Sequence, residues 1–197
     1  FGIRLLSWHD TRREVGKVQT VVANDYQHAA RLFREEGLRG FFSTSGRFAD
    51  PNMLGHPPGY PILIAVVWST AGESNASIQL LQIACDAFAA VLILLIAVEF
   101  FPLAVGLIAG LLVAFAPQFT WNSVLLLPDT LAVFPLLLAA YFLMLAYKKP
   151  RFLPIVIAGA CVGLSCWLRA NALFMAPFLA VAILFLFEPR RRFHFAG

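Results

Sequence analysis

The chain has 197 residues, 60% of them hydrophobic and only 13% charged, with a mean hydropathy of +0.77. A soluble domain usually carries about 45–50% apolar and about 25% charged residues, so this composition excludes an ordinary soluble domain and points to an integral membrane protein. The net charge of +4 and the pI near 9.3 do not mark a nucleic-acid binder, because the basic residues form no single solvated face.

Residues 1–23 read as polar and irregular, with Arg4, Asp10, Arg12, Arg13, Glu14 and Lys17 among them. A helix is predicted over about 24–36, with Asn24 as N-cap, Asp25 in the first turn and Gly37 as the stop. Tyr26, Ala30 and Phe33 fall on one face at i, i+4 and i+7, while Arg31, Arg34, Glu35 and Glu36 take the other. Such a helix is too polar to span a bilayer and suits its surface. Residues 37–55 are punctuated by Gly37, Gly40, Gly46, Pro51 and Gly55 and read as a loop anchored by Phe41, Phe42 and Phe48.

His56-Pro57-Pro58-Gly59-Tyr60-Pro61 follows, a stiff elbow that cannot be helix interior, with Pro61 suited to the first turn of the next helix. Residues 61–71 form a short apolar helix closed by Gly72, against about 20 residues for a span, and so are expected to be interfacial. Five spans are then predicted: Ser77 to about Val98, Leu103 to about Trp121 with a bend at Pro117, Thr130 to Tyr147 interrupted by Pro135, Phe152 to Trp167, and Ala172 to Phe187 kinked near Pro177. Gly106-x-x-x-Gly110 and Gly159-x-x-x-Gly163 permit close helix approach. Cys85, Cys161 and Cys166 lie in apolar runs, odd in number and without metal-ligand spacing, and read as small hydrophobes. The fold class is therefore all-α, a polytopic membrane bundle of about five spans. Residues 1–76 form a first loop on the outer face, 77–189 the bundle, and 190–197 a basic cytoplasmic end.

Lys148, Lys149 and Arg151 share one side with Arg190, Arg191 and Arg192, which the positive-inside rule makes cytoplasmic. That puts Asp25, His56, Asp129 and Arg169 together on the outer side. An outward residue 1 also demands a further span before Phe1, and the abrupt ends read as those of an internal piece of a longer polytopic protein. Each of the four residues has an ordinary structural role open to it. Asp25 and Asp129 serve as first-turn acids, Arg169 as a headgroup anchor and His56 as an incidental loop residue. Together, a carboxylate can take a proton from an acceptor hydroxyl while Arg and His hold a phosphate whose charge grows as its bond breaks. Asp86 lies mid-span with Gln79 and Gln82 on nearby turns, and is expected to hydrogen-bond between helices.

In this order, Asn24-Asp25-Tyr26-Gln27-His28-Ala29-Ala30-Arg31-Leu32, His56-Pro57-Pro58-Gly59-Tyr60-Pro61-Ile62-Leu63, Ile78-Gln79-Leu80-Leu81-Gln82, Ala116-Pro117, Leu127-Pro128-Asp129 and Gly163-Leu164-Ser165-Cys166-Trp167-Leu168-Arg169-Ala170-Asn171 resemble a known series. They look like the N-terminal part of GT-C integral membrane glycosyltransferases of the protein-mannosyltransferase and aminoarabinose-transferase superfamily. The resemblance implies an inverting transfer from a polyprenyl-phosphate sugar donor to a glycan, lipid or protein acceptor, on the outer (periplasmic) face of the plasma (inner) membrane. It implies that Asp25 is the catalytic acid residue that activates the acceptor and that Asp129 is the second-loop acid shaping the site. His56, Tyr60 and Arg169 would contact the substrate. No cofactor is implied, and participation of a divalent metal is left open. The loop acid is Asn-Asp where some relatives have Asp-Glu, and the family's first span, later spans and any C-terminal domain are expected to lie outside this stretch of sequence. A transporter or flippase fragment for a lipid-linked substrate, or a non-catalytic membrane scaffold, are the competing classes. The former calls for midplane charges and internal repeats, of which the sequence offers only Asp86.

Overall fold

The structure, a computed structural model, describes residues 1–18, 20–43, 56–149, 151–175, 177, 178 and 181. Among these there are eight α-helices and no strand: α1 Gly2–Val18, α2 Thr20–Phe41, α3 Gly59–Ala71, α4 Asn75–Ala97, α5 Leu103–Phe115, α6 Pro117–Val124, α7 Asp129–Lys148 and α8 Phe152–Leu168. A 3₁₀ turn, Ala170–Phe174, follows α8. By length and composition α4 and α7 can each cross a membrane, and α5 with α6 makes a third candidate bent by 47° at its break. The α3 and α8 helices are apolar but shorter. Two to three candidate spans stand where five were expected. Most of the fifth, Ala172 to Phe187, lies outside the described residues, as do Phe48, Pro51 and the basic end at 190–197.

Two expectations about the polar segment fail. Residues 2–18 are helical rather than irregular, and the next helix starts at Thr20, so Asn24 is not its cap and Asp25 is not in its first turn. The polar residues of α1 are spread around its circumference, so no face announces a helix. Tertiary partners supply what periodicity does not. Trp8 donates its indole N–H to Gln79 Oε1 at 2.8 Å, and Arg4 is buried against α4 and α5.

The break between α5 and α6 follows from Pro117, which lacks the N–H that would have bonded the Val113 carbonyl. Arg4 Nη2 donates to that carbonyl at 2.9 Å. The same carbonyl accepts a longer bond, 3.4 Å, from the Ala116 N–H, so Arg4 strengthens its pairing in an apolar surround. Pro135, by contrast, does not interrupt its helix: α7 runs through it to Lys148.

Gly37 does break α2 as predicted, at φ 67°, and a last turn carries Phe41 back onto Phe33, with rings 5.6 Å apart and edge-to-face. Gly72 ends α3 at φ 82°, and Ser74 caps α4, its side chain accepting from the Ala76 N–H at 3.2 Å. The α2 helix docks on this α3–α4 turn: Arg31 Nε and Arg34 Nη1 reach the two Glu73 oxygens at 2.7 and 2.9 Å, and the Arg31 guanidinium lies 5.7 Å from the Trp68 ring centre. Ala23, Tyr26 and Ala30 of α2 join Tyr60, Ile64, Ala65 and Trp68 of α3 in one buried cluster that extends to Ile78, Leu131 and Leu168.

Helices α4 and α5 pack through the first glycine pair. A Cβ on Gly106 would lie 2.3 Å from Val98 Cγ1, and one on Gly110 would lie 3.0 Å from Leu94 Cβ. The second pair is different, since nothing lies within 4 Å of a Cβ at Gly159 or Gly163. Exposed apolar side chains run along α5 (Leu103, Ile108, Leu112, Phe115) and α8 (Phe152, Leu153, Val156, Leu164), as a hydrocarbon-facing surface requires. Lys148 pairs with Glu99 at the end where α4 and α7 finish. The opposite end, where α7 begins and α8 finishes, carries the elbow.

The elbow works through Gly59. A Cβ there would stand 2.4 Å from the Trp167 carbonyl oxygen, a backbone atom with little room to retreat. Gly59→Ala is expected to cost about 1–3 kcal/mol by overpacking. Gly159→Ala, in open space within a helix, is expected to be neutral or slightly stabilising. Thermal unfolding of the two variants in detergent checks the contrast. A second test concerns Glu73, whose carboxyl is held below its ordinary 4.5 by hydrogen bonds and charge from Arg31, then Arg34, against a smaller opposing effect of desolvation. Its contribution is therefore present above about pH 4.5 and is lost as the pH falls through the depressed folded value. The stability difference between wild type and Glu73→Gln is expected to be small at pH 7 and to vanish in acid.

Candidate active site

Tyr26 brings the first group to the α7-start end of the bundle. It is 4% exposed, and a buried phenol needs a hydrogen-bond partner. Its hydroxyl lies 3.1 Å from His56 Nδ1, and the rings are 4.8 Å apart. Burial raises the phenol's pKa, Asp25 adds to this, and Arg169 opposes it. The phenol therefore keeps its proton at neutral pH, and donates to Nδ1 when that nitrogen carries the lone pair. Tyr60 lies beneath, its ring edge-on to Tyr26 at 4.9 Å and its hydroxyl donating to Gln82 Oε1 at 2.9 Å.

Asp129 opens α7 and Arg169 closes α8, and the two form an ion pair that ties the helix ends together. Both side chains remain partly exposed, at 39% and 36%. The guanidinium has five N–H donors, so a carboxylate on one edge leaves donors for an anion. Around this pair lies a cleft of about 350 Å³ lined by Tyr26, His56, Pro57, Leu127, Pro128, Asp129, Arg169, Ala170 and Asn171.

The turn that presents Asp129 is held from below. Leu125 and Leu127 have left the helical path, so the end of α6 has carbonyls without helical partners. Gln79 Nε2 donates to the Val124 carbonyl at 2.9 Å, and Gln82 Nε2 donates to those of Ser123 and Leu125 at 3.2 and 2.5 Å. These two glutamines were expected to serve Asp86. They serve the turn instead, and Asp86 pairs with Arg4, both side chains being buried. Interhelical bonding of Asp86 is thus found, with a different partner.

Of the predicted site residues, His56, Asp129 and Arg169 meet in one cleft. Tyr60 supports it from beneath through Tyr26. Asp25 is half-buried on α2 beside Tyr26 and does not line the cleft. Its carboxylate has no ion pair or hydrogen bond among the described residues, whereas that of Asp129 is engaged. Sequence reading missed Tyr26 and Asn171 as site residues. A hydroxyl on the apolar face of α2 was the signal for Tyr26, and Asn171 lies two residues past Arg169 in the same quoted segment. Among the described residues, no three His, Cys, Asp or Glu side chains gather so as to hold a metal ion.

The family model described as dolichyl-phosphate-mannose-protein mannosyltransferase matches residues 55–196, well over half of the chain. The chain belongs to that family. Membership makes it a glycosyltransferase of the class that uses a dolichyl- or polyprenyl-phosphate sugar, in agreement with the resemblance seen in the sequence. His56, Tyr60, Asp129 and Arg169 fall inside the matched stretch, and Asp25 falls outside it. Comparison with curated proteins and with solved structures found no match.

The support of the Asp129 turn is open to measurement. Gln82→Leu removes two donors and one acceptor from a fully buried position and strands the Tyr60 hydroxyl and the Ser123 carbonyl, while the Leu125 carbonyl keeps the Leu127 N–H at 2.9 Å. A loss of about 2–4 kcal/mol is expected, from about 1–3 kcal/mol per unsatisfied buried group with partial relaxation. Adding Tyr60→Phe removes one of the stranded groups, so the double variant is expected to lose less than the sum of the two single losses in denaturation experiments.

Proposed function

We propose that the cleft between Tyr26, His56 and the Asp129–Arg169 pair is where this glycosyltransferase moves a sugar from a polyprenyl-phosphate donor to an acceptor hydroxyl. The observation that carries the reading is the convergence of a cationic side chain, a histidine and a carboxylate in one cleft at the bundle end where α7 begins. Arg169 binds the donor phosphate through its unengaged donors, and Asp129 fixes the guanidinium's position. His56, set by Tyr26, contacts the same phosphate. Asp25 is the base. Its carboxylate, next to Tyr26 on α2, has no ion pair or hydrogen bond among the described residues, whereas Asp129 is occupied in holding Arg169.

In the reaction the acceptor oxygen attacks the anomeric carbon from the face opposite the phosphate, and Asp25 takes the hydroxyl proton. The bond from the anomeric carbon to the phosphate oxygen breaks, and the polyprenyl phosphate leaves with the extra negative charge. Arg169 stabilises that charge as it grows, which is how a fixed cation accelerates rather than merely binds. The configuration inverts because there is one displacement. We place this end of the bundle on the outer face of the plasma membrane. Lys148, Lys149 and Arg151 sit at the opposite end, and short loops with such clusters stay in the cytoplasm. The α3 helix then lies at the outer interface, since its length falls short of a span.

Asp25→Asn and Asp25→Ala, made in the full-length protein, are expected to lower sugar transfer from polyprenyl-phosphate donors by about 10²–10⁴-fold, the usual contribution of a general base. Expression and thermal stability should be little changed. Near-normal transfer in either variant would remove Asp25 as the base. Arg169→Gln is expected to weaken donor binding and slow the transfer step together.

A further inference from the structure

Two short connectors carry the charged and histidine side chains of the cleft, and both start at Gln82 of α4. The first runs back from Tyr60, whose hydroxyl donates to Gln82 Oε1 at 2.9 Å, through Gly59, Pro58 and Pro57 to His56. The second runs forward from Leu125, whose carbonyl accepts from Gln82 Nε2 at 2.5 Å, through Leu126, Leu127 and Pro128 to Asp129 and its partner Arg169. His56 lies four residues from Tyr60, and Asp129 lies four residues from Leu125. Proline stiffens each connector, since it fixes its own φ and restricts the residue before it. Pro58 stands at φ −74° with its carbonyl accepting the Ile62 N–H at 3.2 Å, and Pro128 stands at φ −69° with its carbonyl accepting the Ala132 N–H at 2.8 Å. A displacement at Gln82 is therefore passed along both connectors rather than absorbed within them.

The position also calls for an amide. The carbonyls of Ser123 and Leu125 can only accept, which assigns Nε2 to them and Oε1 to Tyr60, and obliges the phenol to donate. Gln82 and Tyr60 are both fully buried, so water does not replace these bonds. An ionised carboxylate at this position lacks the two donors, and an aliphatic side chain lacks all three bonds. Gln79, one turn earlier, reaches the second connector through the Val124 carbonyl, while its oxygen accepts from Trp8 of α1.

We propose that Gln82 is a positioning residue for sugar transfer: it sets the separation of His56 from Arg169 so that both engage one donor phosphate. The inference rests on the reading of His56 and Arg169 as ligands of that phosphate. Two donors bind one phosphate at full strength only at a matching separation, because hydrogen bonds weaken steeply with poor distance and angle. A misplacement of about 1 Å from a distant substitution costs up to about 10²-fold in such a site. Gln82 itself, being fully buried, meets no substrate and acts through the two connectors.

The test measures the dissociation constant of farnesyl phosphate for the full-length protein in nanodiscs. Two factors are compared, the weakening caused by His56→Ala and that caused by Arg169→Gln. Each is expected to be about tenfold or more in the otherwise wild-type protein. A dissociation constant is read on the folded protein, so a background that merely folds less leaves both factors unchanged. In Gln82→Met, similar in shape but without the three hydrogen bonds, both factors are expected to shrink about threefold or more. In Tyr60→Phe the His56 factor alone is expected to shrink, and in Gln79→Leu the Arg169 factor alone. Gln82→Asn, whose amide is one methylene short, carries the same expectation as Gln82→Met if that variant does not fold. Both factors intact in the Gln82 background make the residue simple packing and overturn the proposal. A single factor shrinking there overturns the joint role and ties Gln82 to one connector. Tyr60→Phe or Gln79→Leu overturns it as well by leaving its own factor intact or by lowering both alike. If His56→Ala or Arg169→Gln fails to weaken binding in the wild-type background, that residue is no phosphate ligand, and the inference falls with that reading. Failure of the inference alone leaves both wild-type factors at full size.

Discussion

The short non-helical passage from Leu125 to Pro128 is the constraint on which the rest of the site depends. It lies where the chain turns between α6 and α7, and it presents carbonyls that no helix satisfies. A buried carbonyl without a partner costs about 1–3 kcal/mol, so leaving those of Ser123 and Val124 unpaired in an apolar bundle would work against the turn. Gln79 and Gln82 prevent this, being one turn apart on the same face of α4. Their remaining acceptors are also used, Gln79 by Trp8 of α1 and Gln82 by Tyr60 of α3. Two amide side chains thus fix the register of four helices against one turn, and Asp129 starts α7 from a defined point.

The same face of α4 carries Asp86 one turn further along, so its inward side is a polar stripe at i, i+3 and i+7. Burying the Arg4–Asp86 pair is a poor way to gain stability, since the desolvation cost rivals the attraction. Its value lies in what removal of one partner would do. A lone charge at that depth costs about 3–5 kcal/mol, which disfavours every packing of α1 that separates the two. Arg4 also meets the carbonyl that Pro117 frees, so the bend in α5–α6 and the seating of α1 are one structural event.

Long apolar runs bounded by Pro, Gly and Ser made α3, α4, α7 and α8 legible to within a few residues, because in hydrocarbon the backbone must close its own hydrogen bonds and a helix is the local way to do so. Gly37, Gly72 and the Gly106–Gly110 contact were legible for equally local reasons. The α1 helix was not, since its polar side chains follow no period and its partners are more than seventy residues away. The Arg4–Asp86 pair stayed hidden for a related reason. Gln79 and Gln82 stood closer in sequence and looked like sufficient company for Asp86. That His56, Asp129 and Arg169 share one side was readable from the order of apolar runs and the basic loops, whereas their meeting in one cleft and the relation of Asp25 to it depend on tertiary packing, including how α2 is rotated on α3.

That rotation bears on the chemistry. Tyr26 and Asp25 are neighbours on α2, about 100° apart around the helix, so only one can face the core. Tyr26 does, and its hydroxyl orients His56. Asp25 is left half-buried on the flank of α2, without an ion pair among the described residues. On the proposed reading Asp25 takes the acceptor's proton while Arg169, with Asp129 beside it, holds the phosphate. The two carboxylates then part in function by what surrounds them. Asp129 is spent on geometry and Asp25 is left for a proton, and an α2 turned by one residue would exchange the buried phenol for a buried charge and lose both.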